Sequence, residues 1–204
     1  MTLLEKTINS LKKNRIASVV FESGNDVLEY LDSIIEDAAI VGVGDSVTLE
    51  TIGIYDYLKN RNVVYLDKYD KTLGKLEKRE LYLKNFNSDY FFSSANAISS
   101  DGKIYNMDGN GSRVAPIIYG PKKVLIISGI NKIVKDEKDA VLRIKKIAAP
   151  RDAKRLEKKT PCSITGECMD CKSVDKICNY FSVIQGQFDD SRIKVIFVKQ
   201  ELGY

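Results

Sequence analysis

"AAIVGVGDSVTLETIGIYDYLKN" occupies residues 38–60, and "VVYL" follows at 63–66. An apolar run (38–44) ends in a glycine turn, a helical pattern (46–60) opens on polar residues, and a second β-branched run closes the unit. Two strands joined by a helix must lie parallel, because a crossover of this length returns the chain to the same end of the sheet. This stretch therefore sets the fold class, and the rest of the chain can be read against it.

The same alternation continues in both directions. Upstream, Leu3, Leu4, Ile8 and Leu11 have helical spacing, and "ASVVF" (17–21) reads as a short buried strand. "SGNDVLEYLDSII" (23–35) reads as a helix, with Asn25 or Asp26 as its N-cap. Downstream, "KTLGKLEKRELYLKN" (71–85) is an amphipathic helix with a solvated face. "DYFFSS" (89–94), a hairpin-like "DGKIYNMDG" (101–109) and "KVLIIS" (123–128) follow. The expected architecture is α/β: an open, mainly parallel sheet with helices on both faces. From residue 136 to 160 the pattern predicts a Lys/Arg-rich helix broken at Pro150, its charges read as a solvated face. The segment 161–178 then carries every cysteine, ahead of "YFSVIQGQ" and the strand "IKVIFVKQ". Residues 1–204 read as one α/β domain with a Cys-rich insertion before its last strands.

Composition narrows the function. The chain has 204 residues, 44% hydrophobic and 29% charged, as expected of a soluble globular protein. No run reaches the ~18 apolar residues that suggest a membrane span. The N-terminal charged amphipathic helix does not resemble a signal peptide, so a cytoplasmic address is expected. A net charge of +4, without aromatics interleaved among the basic residues, gives no reason to expect a nucleic-acid partner. Histidine is absent. Imidazole acid–base chemistry and histidine metal ligation are thereby excluded.

Polar residues collect where strands end. Gly42 and Gly44 would let the backbone approach a ligand, and Asp45, Ser46 and Thr48 stand at the following helix start, where an anion is favoured. A tight turn with an ordinary cap explains the same residues equally well. In "SSANAISSDGKIYNMDGNGSR" (93–113), Asn96 and Asn110 can hydrogen-bond a ligand, Asp108 can orient it or act as a base, and Arg113 can clamp a carboxylate. Hairpin turn chemistry and a structural ion pair are the plainer readings. "SGINKIV" (128–134) adds Asn131 and Lys132, the latter able to neutralise an anionic substrate or to be a plain surface lysine.

Cys162, Cys168, Cys171 and Cys178 follow the pattern C-x5-C-x2-C-x6-C. Dense thiols in a reducing compartment point to a metal rather than to disulfides. A [4Fe–4S] cluster, an all-cysteine zinc site and unmetallated thiols all remain open.

"VGVGDSVTLETIG", "FFSSANAISSDGKIYNMDGNGSRVAPIIYGPKKVLIISGINKIV" and "AAPRDAKRLEKKTPCSITGECMDCKSVDKICN" together resemble the LUD-domain family, named for bacterial lactate-utilisation proteins. The resemblance extends from about residue 5 to the closing "RIKVIFVKQELGY". It implies the fold shared with ribose-5-phosphate isomerase and CoA transferases, in which ligands bind at strand carboxyl ends. It also implies L-lactate oxidation as a subunit of an iron–sulfur dehydrogenase complex, with redox partner subunits. Iron–sulfur members append a longer two-cluster region; this chain has only the four-cysteine segment and looks like a stand-alone type. No catalytic residues carry over from the resemblance. The leading expectation is a protein that handles a small carboxylate such as lactate and carries a cluster on its four cysteines. Alternatives are a redox-inactive transferase or hydrolase acting on a CoA- or sugar-phosphate-like anion with structural zinc, or a non-catalytic binding subunit. The oligomeric state, a homo-oligomer included, is left open.

Overall fold

The computed structural model describes all 204 residues. The first helix, α1 (Leu3–Lys13), opens with a reciprocal cap between Thr2 and Glu5. It leads to β1 (Ala17–Phe21) and α2 (Gly24–Ile34). The cap of α2 is Ser23, two residues earlier than Asn25, and Asp26 closes the reciprocal bond from inside the helix. β2 (Ile40–Val43) then enters α3 (Val47–Ile52) and α4 (Ile54–Lys59). Gly53, at φ +83°, divides what the sequence reads as a single helix over 46–60. β3 (Val64–Tyr65), α5 (Lys75–Lys84), β4 (Tyr90–Ser93), β5 (Ala97–Ser99), β6 (Ile104–Asp108), α6 (Val114–Ile118), β7 (Lys123–Gly129) and β8 (Ile133–Val134) complete the central part. α7 (Glu137–Arg143), a π turn (Ile144–Ala148), α8 (Ala149–Arg155), α9 (Pro161–Thr165), β9 (Tyr180–Ile184) and β10 (Ile193–Val198) close the chain.

The predicted break at Pro150 is instead the π turn just before it. Proline lacks an N–H and crowds the carbonyl four residues back, here Lys146, so the extra residue in the turn lets the helix continue.

The main sheet has six strands in the order β1-β10-β7-β4-β2-β3, every neighbour parallel. Its side chains alternate between faces. Val41, Val43, Phe92, Leu125, Ile127, Ile196 and Val198 pack with Val27 and Leu31 of α2, Leu49 of α3 and Leu58 of α4. Phe91, Val124, Ile126, Val195 and Phe197 pack the opposite way, with Leu11 of α1 and Ile117 of α6. No helix is long and apolar enough to cross a membrane.

A second sheet, β8-β5-β6-β9, grows from the carboxyl ends of β4 and β7. β5 and β6 form the expected hairpin, and β9 extends it antiparallel. Ile98 and Ile104 of this sheet pack into the α1 side of the core. After β2 the chain crosses outward to β3, whereas after β4 it proceeds inward to β7. Connections leaving in opposite directions open a crevice at the carboxyl ends of β2 and β4, where open α/β sheets bind ligands.

Candidate functional site

Two adjoining hollows occupy that crevice. The outer cleft, about 360 Å³, is bordered by Lys68 after β3, Tyr82 of α5, the Asp108–Arg113 turn, and Lys158 and Lys176 from the C-terminal third. An inner recess of about 50 Å³ lies between Asp45–Val47 and Ser94–Asn96 and ends at Lys132. Asp45, Met107, Arg113 and Asp152 border both. The structure thus brings Asp45, Ser46, Asn96, Asp108, Asn110, Arg113 and Lys132 to one place. Gly42 and Asn131 stay outside the two hollows.

Arg113 is turned into the protein. Its Nη1 donates to the Ser94 carbonyl (3.0 Å) and Asn106 Oδ1 (2.7 Å), and its Nη2 donates to Asn96 Oδ1 (3.1 Å) and the Met107 carbonyl (2.8 Å). The terminal nitrogens that would clamp a carboxylate are committed to these neutral acceptors. Burial pulls its pKa below the usual arginine range. Gly44 borders the outer cleft and leaves room for this side chain: a Cβ there would stand 2.7 Å from Arg113 Cγ. Gly42 likewise leaves room for the Asn85 carboxamide.

Other expected ligand groups also hold the scaffold. Asp108 accepts from the backbone N–H groups of Gly109, Arg113 and Val114, at 2.6, 3.1 and 3.1 Å, and so caps the entry to α6. Asn110 Oδ1 accepts from Ser112 N–H (3.0 Å) in a turn. Asn96 Oδ1 also accepts from Met107 N–H (2.8 Å). Asn131 pins the C-terminal tail, its Nδ2 donating to the Gly203 carbonyl and its Oδ1 accepting from Leu202 N–H, both at 3.2 Å. Ser46 caps α3.

Several groups that sequence reading passed over complete the hollows. Asp45 accepts from Tyr69 Oη (2.8 Å) and Arg155 Nη2 (2.8 Å), and Arg155 also bridges to Asp152 (2.7 Å). Burial works against the Asp45 carboxylate, but Lys68, Arg155 and Tyr69 outweigh it and hold the carboxyl below its ordinary range. Lys68 forms neither a hydrogen bond nor an ion pair; its ammonium stands 5.2 Å from the Tyr69 ring centre. Burial lowers its pKa, with Asp45 pulling the other way. Arg143, read as part of a solvated face, is buried, with Nε on the Asn131 carbonyl (3.2 Å) and Nη1 on the Asn96 carbonyl.

Lys132 is 2% exposed. Its Nζ donates to Thr48 Oγ1 (2.7 Å) and Ser94 Oγ (3.0 Å), and no carboxylate pairs with it. Burial, reinforced by Arg143 and Arg113, pulls its pKa down to about 7.

The four cysteines are free and half-buried. The Cys178 thiol is pushed up by burial, Lys176 opposes the rise, and Cys168, Cys171 and Cys162 add to it, so the sulfurs share a neighbourhood. They do not surround one point: no three His, Cys, Asp or Glu residues stand in an arrangement that could hold a metal ion.

The LUD domain model matches residues 4–198. Among solved structures, the chain is similar to a DUF162 family protein from Deinococcus radiodurans, with a TM-score of 0.56, 11% identity and 96% of each chain covered. At that identity the likeness speaks for the fold alone. No curated protein sequence matches the chain. The fold, the switch-point crevice and a family match spanning almost the whole length agree: the chain belongs to the LUD-domain family.

Proposed function

We propose that this lactate-utilisation-type protein binds a small anionic molecule bearing a carboxylate in the switch-point cleft. The observation that carries the reading is Lys68, a cation on the cleft wall with no hydrogen-bonding or ion-pairing partner of its own. An ammonium in that state is stabilised by any anion that reaches it, whereas Arg113 and Arg155 are already satisfied internally. The recess extends the cleft by the volume of a few water molecules, which suits the short end of a two- or three-carbon acid.

Titration calorimetry with L-lactate and pyruvate tests this. Saturable binding that weakens about tenfold in Lys68→Gln is the expected result, as a lost charge-assisted bond predicts. No binding to the parent protein, or equal affinity in the variant, rejects the assignment.

Electron transfer through an iron–sulfur cluster in L-lactate oxidation is the more specific part of the proposal, and it rests on four thiols in one segment. Iron and sulfide in anaerobically prepared protein, lost in Cys171→Ser, support it. Colourless protein containing zinc or no metal removes it.

A further inference from the structure

Lys132 is more than a source of positive charge. A lysine kept only for its charge is normally matched by a carboxylate or left in water, because a lone buried ammonium is costly. Here the amine is enclosed, two hydroxyls hold it, and its charged neighbours Arg113 and Arg143 are both cations. The enclosure and the two neighbouring cations favour the neutral amine, whose nitrogen lone pair is nucleophilic. The amine also has space in front of it. Lys132 borders the recess beside Ser94, and the recess adjoins the 360 Å³ cleft. Ser94 Oγ lies within 3.4 Å of Thr48 Oγ1, so the two hydroxyls that touch the amine also touch each other. Together they form a short path along which a proton can move to or from an oxygen held at the amine.

We infer that Lys132 Nζ forms an imine with the carbonyl carbon of a small 2-oxo carboxylic acid, the oxidised counterpart of a 2-hydroxy acid. The inference rests on the carboxylate-binding reading and names its substrate class. The nitrogen lone pair adds to the carbonyl carbon, and the carbonyl π electrons move to oxygen. That oxygen takes a proton from the nitrogen through the Ser94 and Thr48 hydroxyls, giving a carbinolamine. The carbon–oxygen bond then breaks, the oxygen leaves as water with the second nitrogen proton, and a carbon–nitrogen double bond remains. No oxidant or reductant enters. Arg113 at the recess wall supplies positive charge for the carboxylate without giving up its own hydrogen bonds, while Arg155 is balanced by Asp45 and Asp152.

The experiment is incubation of the full chain with pyruvate, reduction with sodium borohydride, and peptide mapping by mass spectrometry. The expected result is a reduced pyruvyl adduct on Lys132 at least about tenfold above any exposed lysine, because an amine titrating near neutrality is far richer in its reactive form. Lys132→Met should lose the adduct and Lys68→Gln should keep it, less completely. Mapping the parent protein locates the adduct even if Lys132→Met does not fold. An unmodified Lys132, or labelling spread over surface lysines, overturns the inference. The calorimetric titration separates the two readings: carboxylate binding without an adduct sinks the imine alone, and neither binding nor adduct sinks both.

Discussion

Arg113, half-buried, and Lys132, buried, are both basic groups at the carboxyl edge of one sheet, and neither is ion-paired with a carboxylate. Their solutions differ. Arg113 distributes four hydrogen bonds over four neutral acceptors from two chain segments, so its planar fork acts as a junction between the β4–β5 loop and β6. Lys132 makes two bonds, both to hydroxyls that can rotate, and faces a hollow. A guanidinium stays charged when buried and is held by saturating its donors; an ammonium escapes the same cost by giving up its proton. A saturated cation builds structure, while an unsaturated one keeps chemical potential for a ligand.

The sharpest way to break this contrast is Arg113→Met, which fills most of the stem volume, leaves Asn106 Oδ1 without a donor and takes one donor each from Asn96 Oδ1 and the Ser94 and Met107 carbonyls. The orphaned Asn106 oxygen costs about 1–3 kcal/mol and each further lost bond about 1 kcal/mol, so the total should be about 4 kcal/mol in urea denaturation. A loss under about 1 kcal/mol would mean that the junction is decorative and Arg113 is free to serve a ligand after all.

Lys132→Met should behave differently, and the difference should depend on pH. The folded-state pKa of Lys132 is lowered, to about 7 from 10.5. Below pH 7 both the folded and unfolded forms carry the proton, so the parent protein bears the full cost of the buried charge. Between pH 7 and 10.5 only the unfolded chain holds the proton, so stability rises with pH. Relative to Lys132→Met, the parent should gain up to roughly 4 kcal/mol across that range. A flat difference between the two melting curves from pH 6 to 10 would mean that the amine remains charged in the fold.

How much of this was legible in the chain follows from the range of each signal. β1 and β10 are readable because β-branched runs between polar turns need no tertiary context, and the strand–turn–helix at residues 38–53 announces the switch point. The glycines at 42 and 44 mark close approach, but the approaching groups, Asn85 and Arg113, lie 43 and 69 residues away and no local pattern names them. Lys68 sits in a loop with no motif; only the crossing of β2 and β3 places it on the cleft wall. The basic run from 143 to 159 reads as a solvated face because helix charges usually are, yet the π turn before Pro150 shifts the register of α8 relative to α7. Arg143 ends inside the protein, and Arg155 reaches back to Asp45.

The Gly44–Arg113 contact offers a finer test of the junction. Gly44→Ala would drive a Cβ to 2.7 Å from Arg113 Cγ, an overlap costing about 1–3 kcal/mol. Arg113→Ala removes that atom, so the cost of Gly44→Ala should largely disappear in the double variant. A double-mutant cycle measures this coupling. Additive losses would show that Gly44 is needed for some reason other than the arginine stem.

The smallest expected effect is the most informative for function. Lys68→Gln should change stability by no more than about 0.5 kcal/mol, because the ammonium makes no bond that the fold would lose. It also relieves the desolvation of the ammonium, so a small gain in thermal midpoint fits as well. A residue that can be replaced without penalty in the free protein, yet whose replacement weakens carboxylate binding about tenfold, contributes to the complex and not to the fold. A large stability loss in Lys68→Gln would make it a second Arg113, a scaffold cation with Asp45 as its hidden partner, and the anion-binding reading would lose its main support.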